Sequence, residues 1–404
     1  MELRQYQRRY AQVLVKIGVQ LKKGQPLCVE APVEQRPFIE LLAQAAYEEG
    51  CGEFGVIWHW DALDRLGLEQ GLPFQNGADL AAADYYAAKG AAMIYLDSPD
   101  LSAFEGIDAP RLARRAAAIK QIRNTFRQKA PGCGLTLACL PSQPWADLVF
   151  PDLPQERRLE ALWDAVLTCA RCKEPDPIAA WQEYLRFTAR RKEILNAKGY
   201  TAFHIYGGGN EAILLPAERE QWKGGCMDYQ GRIWSPNVPT EEIFIAPHKE
   251  LSAGKLVSSL PLNYKGALIE GIELTLQEGR IVEYRAAKGQ ELLAQIIETD
   301  EGSHYLGEMA LVAQDSPIAR LGRVFYTTLY DENAACHIAI GDALGMAQDP
   351  KRREALGLNT SAVHVDFMIG SDQLCVEGKL PDGGWQAILQ NGLWALDEMK
   401  GEAQ

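Results

Sequence analysis

From residue 26 to about 140, short apolar runs alternate with longer amphipathic stretches. PLCVEAPV, FGVIWHW, AAMIYLD and CGLTLACL have the length of buried strands, whereas QRPFIELLAQAAYEEG and APRLARRAAAIKQIRNTFRQ repeat apolar residues at helical spacing. That alternation predicts βαβ units and a mostly parallel sheet with helices on its faces. Two further helical patterns follow, QERRLEALWDAVLTCARC and DPIAAWQEYLRFTARRKEILNAK, separated by the turn-rich KEPDP. The second is placed to bridge two domains.

After residue 200 the texture changes to short β-rich runs punctuated by glycine, such as YTAFHIYGGG, YKGALIEGIELTLQEGRIVEYRAAKG and SAVHVDFMIGSDQLCVEG. A separate antiparallel region fits this pattern. The chain of 404 residues also exceeds what one core usually organises. The expected class is therefore α/β plus α+β: a mostly parallel α/β domain over 1–190 and a β-rich domain over 191–404. The boundary falls between about 185 and 200.

Composition narrows the functional field. With 47% hydrophobic and 24% charged residues the chain reads as packed and globular. Its 41 Lys and Arg against 54 Asp and Glu give a formal charge of −13, the wrong sign for nucleic acid or an anionic membrane as partner. The N-terminal stretch shows no secretory apolar region, and no segment approaches 18 unbroken apolar residues, so a cytoplasmic protein is expected. Nine scattered cysteines lack the spacing of a disulfide framework and are expected as thiols. The one CxxC, Cys169 to Cys172, has no second pair or nearby histidines to complete a zinc site and reads as a helix pair. No GxGxxG opens a helix after a strand, and Gly207-Gly208-Gly209 precedes a strand-like AILLP, which predicts a tight turn rather than a phosphate cradle.

Four segments of the C-terminal half hold the candidate chemistry. In SAVHVDFMIG, Val363, Val365 and Phe367 alternate with His364 and Asp366, so a strand presents imidazole and carboxylate side by side on its second face. Such a pair suits zinc, cobalt or manganese, and equally a surface His–Asp hydrogen bond. In PTEEIFIAP the adjacent Glu241 and Glu242 point to opposite faces of an extended chain, and the apolar residues that follow do not separate them. Glu308, in the apolar LGEMALV, calls for a cation or a donor if buried. The run DENAACHIAIGDALGMA has a helical reading, with Asp331 or Asn333 as cap. Glu332 and His337 then lie about 140° apart around the helix, and Cys336 points elsewhere. GxSxG is absent, and no Ser-His-Asp or Cys-His arrangement competes.

In order, and in the spacing of the first three, Asn237-Val-Pro-Thr-Glu-Glu-Ile-Phe, Leu306-Gly-Glu-Met-Ala, Asp331-Glu-Asn-Ala-Ala-Cys-His and Val363-His-Val-Asp-Phe-Met together resemble the thermophilic aminopeptidase family. This is the aminopeptidase T, aminopeptidase S and PepS group of metallopeptidases. The resemblance is specific over 185–404 and looser before it. It implies two divalent metal ions (zinc, cobalt or manganese) on Glu242, Glu308, His337, His364 and Asp366. Glu332 corresponds to an acidic position acting as a further ligand or a proton carrier, a role for which Glu241 is the other candidate. It also implies a peptide substrate shortened from its N-terminus and a homodimer whose sites face an enclosed cavity. Metal-bound water, its pKa lowered from about 15.7 to about 7, would supply the nucleophile. One departure stands out: the family has a tyrosine seven residues after the histidine of the third motif, where this chain has Leu344. Tyr305 and Tyr330 are candidates to substitute for that phenol. The competing readings are a metal-binding scaffold without turnover and a hydrolase of non-peptide amides.

Overall fold

The computed structural model describes residues 3–72, 74, 77–100, 102–264, 266–343, 349–396 and 399. Its chain divides into two compact units, one of residues 1–184 with 226–239, the other of residues 185–225 with 240–404. The helix Pro177–Lys198 begins in the first and ends in the second.

In the first unit, the apolar runs form the parallel strands Pro26–Pro32, Glu53–His59, Ala92–Asp97 and Leu135–Cys139, joined by Asn237–Val238 at one edge. The sheet order is second, first, third, fourth, then the late strand. Helices Arg36–Glu48 and Ala109–Lys129 occupy the amphipathic stretches, the latter capped by the Asp108 carboxylate, which accepts the Arg111 N–H. Cys169 and Cys172 are buried thiols at the end of the helix Gln155–Cys169. This is the plain packing role read from their surroundings.

The second unit holds two antiparallel sheets. An eight-stranded sheet runs in the order Arg280–Arg285, Glu273–Gln277, Ala253–Val257, Asn210–Leu214, Ala202–Gly207, Cys375–Lys379, Trp385–Gln390, Leu393–Trp394. Gly208 and Gly209, both at positive φ, close the two-residue hairpin between Gly207 and Asn210, a conformation that strands accept readily only from glycine-like residues. The second sheet has four strands, Ile243–Ile245, Leu306–Leu311, His337–Gly341 and His364–Met368, in that order. Among the described residues, no helix is long and apolar enough to cross a membrane.

The helical reading of DENAACHIAIGDAL is corrected here. Among the described residues of this run only the single turn Thr328–Asp331 is α-helical, and His337–Gly341 is a strand paired on both sides. Ile338 and Ile340 are separated by Ala339, a period of two that burial of one face rewards, and this outweighs the acidic residues that look like a helix start.

Candidate metal centre

The four-stranded sheet has one apolar and one acidic face. Ile243, Ile245, Met309, Leu311, Ile338, Ile340, Val365 and Phe367 all enter the core of the second unit. Cross-strand register sets the other face: Glu308 lies opposite Ala339, Ala339 opposite Asp366, His337 opposite Ala310, and His364 opposite Gly341. Residues of small volume in the central strand leave space between the flanking carboxylates.

A β-bulge aims Glu308 at this face. Leu306 pairs with Ile340 and Glu308 with Ala339, so two steps on one strand match one on its partner. Without that extra residue, strict alternation would put Leu306 and Glu308 on the same face. Gly307 occupies the bulge, where a Cβ would lie 2.3 Å from the Asp342 carbonyl oxygen and 2.5 Å from that of Gly341. Only glycine permits that approach. Glu242 immediately precedes Ile243 and has the parity of Phe244, which pairs with Ala310 on the acidic face.

The donor atoms fall into two groups, Glu242 with Glu308 and His337, and Glu308 with His364 and Asp366. Within each group, ligand atoms lie within 4.8 Å of one another. Nε2 of His337 is 3.1 Å from Glu242 Oε2 and 3.4 Å from Glu308 Oε1. Nε2 of His364 is 3.1 Å from Asp366 Oδ1. Each ring is oriented from behind by a backbone carbonyl: His364 Nδ1 lies 2.7 Å from the Asp342 oxygen and His337 Nδ1 3.2 Å from that of Ala335. With the Nδ1 proton donated there, Nε2 of both rings is presented to the carboxylates, the arrangement of metal-ligating histidines.

Electrostatics fit a cationic occupant. Glu242, Glu308, His337 and Asp366 are buried, and His337 Nε2 and Asp366 Oδ1 make no directed hydrogen bond despite their charged neighbours. Burial opposes the charged form of His364, yet the Asp366 carboxylate beside it holds its pKa at about 10. His337 is likewise raised well above the usual imidazole range, burial being outweighed by the carboxylates of Glu242 and Glu308. Burial raises Glu308, and burial together with the charges of Glu242 and Asp366 raises Glu332 well above the carboxylate range. Three carboxylates in the two groups need positive charge, which without metal only the two imidazoliums supply. The buried oxygen and imidazole donors match a divalent cation of the zinc, cobalt or manganese type.

The other sequence candidates have distinct places. Glu332 belongs to neither group, but its carboxyl feels Glu242, Asp366, His337 and Glu308. Glu241 is buried beside Glu242 and outside both groups. The Tyr305 hydroxyl meets Arg280 Nη1 at 3.3 Å, with Lys249 over its ring, so it is engaged by residues outside the cluster. Tyr330 is buried against Phe325. Leu344 lies outside the described residues. Cys336 is buried, bonded through Sγ to the Val312 backbone, and burial raises its pKa to about 11, which suits no nucleophile. Residues that sequence reasoning left without a site role include Gly307 and Arg353, whose guanidinium holds Asp342 Oδ1 at 2.9 Å and the Ala343 carbonyl at 2.7 Å. A glycine inside a strand pattern is a known bulge signal, and Gly307 carried it.

Buried carboxylates with imidazoles turned toward them through Nε2 define a centre of the metal-dependent enzyme class. The chain belongs to the thermophilic metalloprotease (M29) family, whose pattern it matches over residues 4–394. It is 37% identical to aminopeptidase T of Thermus thermophilus, with 96% of this chain and 98% of that protein covered. It is 36% identical to aminopeptidase AmpS of Bacillus subtilis, with the same coverage. The solved structure of wild-type AmpT from Thermus thermophilus superimposes with a TM-score of 0.88 at 35% identity, covering 98% of this chain and 100% of that one. Membership of a metalloprotease family implies a divalent metal ion.

Proposed function

We propose that this protein is a metal-dependent aminopeptidase that releases N-terminal residues from peptides. In this reading Glu242, Glu308 and His337 hold one divalent ion and Glu308, His364 and Asp366 a second, so that all the ligands come from 191–404. The observation that carries it is the membership of Glu308 in both donor groups, which would let one carboxylate serve both ions. Zinc, cobalt and manganese all suit the donors. Bound divalent ions supply a water nucleophile at neutral pH and polarise the scissile carbonyl.

The chain's own side chains do the remaining work. The backbone carbonyls of Asp342 and Ala335 hold the imidazoles with Nε2 toward the cluster. Glu332, whose carboxyl is raised in the metal-free protein by burial and by its acidic neighbours, takes a proton from the attacking water in this reading and passes it to the leaving amine. Glu241 is the alternative to Glu242 as ligand and to Glu332 as proton carrier. The free α-amino group of the substrate would also be held by one of the two ions, which is the physical basis for acting at an N-terminus. The homodimer implied by the motifs and a cytoplasmic location belong to the same proposal.

The test is release of chromophore from a panel of aminoacyl chromogenic amides, with chelator and after adding back cobalt or zinc. Chelator-sensitive, metal-restored release on substrates with a free amino group, and none on N-blocked ones, is the expected result. Tight metal binding with no turnover would instead make the protein a metal-holding scaffold. Turnover confined to non-peptide amides would assign it to that other hydrolase class.

A further inference from the structure

Resting on the metal-ligand reading above, we infer that Asn333 is a positioning residue that locks the segment delivering Glu242 against the turn delivering Glu332. The segment before the strand Ile243–Ile245 is buried and precedes the sheet ladder, and its Glu241 N–H turns to a side chain. A buried N–H needs an acceptor. Asn333 Oδ1 supplies it at 2.7 Å, across 92 positions of sequence.

The other end of the same amide is also used. Asn333 Nδ2 donates to the Leu329 carbonyl at 2.8 Å, which fixes the amide to the turn that begins at Thr328, and it lies 3.3 Å from Glu332 Oε1. Asn333 is fully buried, so water does not compete for these contacts. An amide is required because one end must accept and the other donate, and Asn has the length that reaches both. The backbone of Glu241 is thereby pinned one residue from the Glu242 carboxylate, while the Glu332 carboxyl is touched directly. Neither Glu308 nor the pair His364 and Asp366 depends on this amide, because strand register already fixes them.

That asymmetry gives the test. Metal-free wild type and the variants Asn333→Ala and Asn333→Asp are titrated with Co2+, followed by calorimetry and the visible d–d absorption of the bound ion. Wild type is expected to take up two ions. Asn333→Ala should weaken one of them by roughly 10–100-fold, the range for losing a group that orients a ligand, with altered absorption for that ion and the other unchanged. Asn333→Asp keeps the acceptor for the Glu241 N–H but turns an oxygen toward the Leu329 carbonyl and Glu332 Oε1, and should weaken the same ion while leaving the other unchanged, which a general loss of packing would not do. Equal affinities in wild type and Asn333→Ala, or equal weakening of both ions in either variant, would overturn the inference. Wild type that takes up no Co2+ at all would instead overturn the metal-centre reading on which it rests.

Discussion

Glu308 and Asp366 stand on opposite sides of one residue, Ala339, in a single row across the sheet. On that face the Ala339 methyl group lies between the two carboxylate positions, and Glu308 also shares a donor group with His337 and Glu242. Glu308 is therefore common to both donor groups, whereas Glu242 and Asp366 each belong to one. Glu308→Gln is expected to empty both metal positions, while Glu242→Gln and Asp366→Asn each empty one. The loss should exceed the roughly 10–100-fold that removal of an outer partner costs. Metal-to-protein ratios after dialysis against a fixed free-metal buffer check this, and equal ratios for all three variants would refute the shared carboxylate.

Gly307 makes that row possible. Gly307→Ala would press a Cβ against the carbonyl oxygens of Asp342 and Gly341, and Asp342 O is the acceptor that orients His364. The predicted outcome is a stability loss of about 1–3 kcal/mol, as for other overpacked sites, together with weakened metal binding. Chemical unfolding followed in parallel with metal titration separates the two effects. Unimpaired metal binding in this variant would show that the bulge does not set the Glu308 position.

The sequence foretold the two-textured chain and the apolar strands because burial imposes periods of two and 3.6 that survive in the residues themselves. It also foretold that His364 and Asp366 share a face, since Val363, Val365 and Phe367 mark the other. It could not choose between Glu241 and Glu242 by alternation, because Ile and Phe follow both parities and only register with Ala310 assigns Phe244 to the acidic side. The side on which Glu308 emerges was equally hidden, since an inserted residue reverses every subsequent position. His337 was misplaced on a helix for a related reason: sheet pairing is long-range, and the strand partners of His337–Gly341 lie about thirty residues away on either side. Motif order located the cluster where local pattern alone did not.

Raised pKa values at the cluster give a definite pH response. The imidazole of His364 titrates near 6.5 when unfolded and is held at about 10 in the folded, metal-free protein. Its contribution to metal-free stability is complete below about 6.5 and is lost as pH rises toward 10. His337 acts in the same direction, being also raised. Asp366 acts oppositely, because burial is outweighed by His364 and its pKa is lowered, so its contribution disappears on acidification. Metal-free protein should therefore lose thermal stability between pH 7 and 10. Metal must displace the imidazole protons, so apparent affinity should rise over the same interval, with proton release on binding. Calorimetric titration in buffers of different ionisation enthalpy measures that release, and its absence at pH 7 would contradict protonated histidines in the metal-free state.

The first unit contains a separate buried charge whose failure should affect folding and spare the metal centre. Glu30 is fully buried in the strand Pro26–Pro32, where Arg123 Nη2 holds Oε1 at 2.7 Å and His59 Nε2 lies 3.0 Å from the same oxygen. Burial alone would raise this carboxyl, but His59 and Arg123 outweigh it and the pKa is lowered. Arg123→Ala leaves the carboxylate with one partner that is itself titratable, and breaking a buried pair in this way costs about 3–5 kcal/mol. Because Glu30 is lowered, the stability it contributes is present above its unfolded value and lost as pH falls, so the penalty should show at neutral pH and shrink in acid. Adding Glu30→Gln to Arg123→Ala removes the stranded charge and should recover part of the loss. Urea unfolding of the two single variants and the double variant at pH 7 and pH 3 tests the coupling. Additive losses in the double variant would show that the two side chains do not act as a pair.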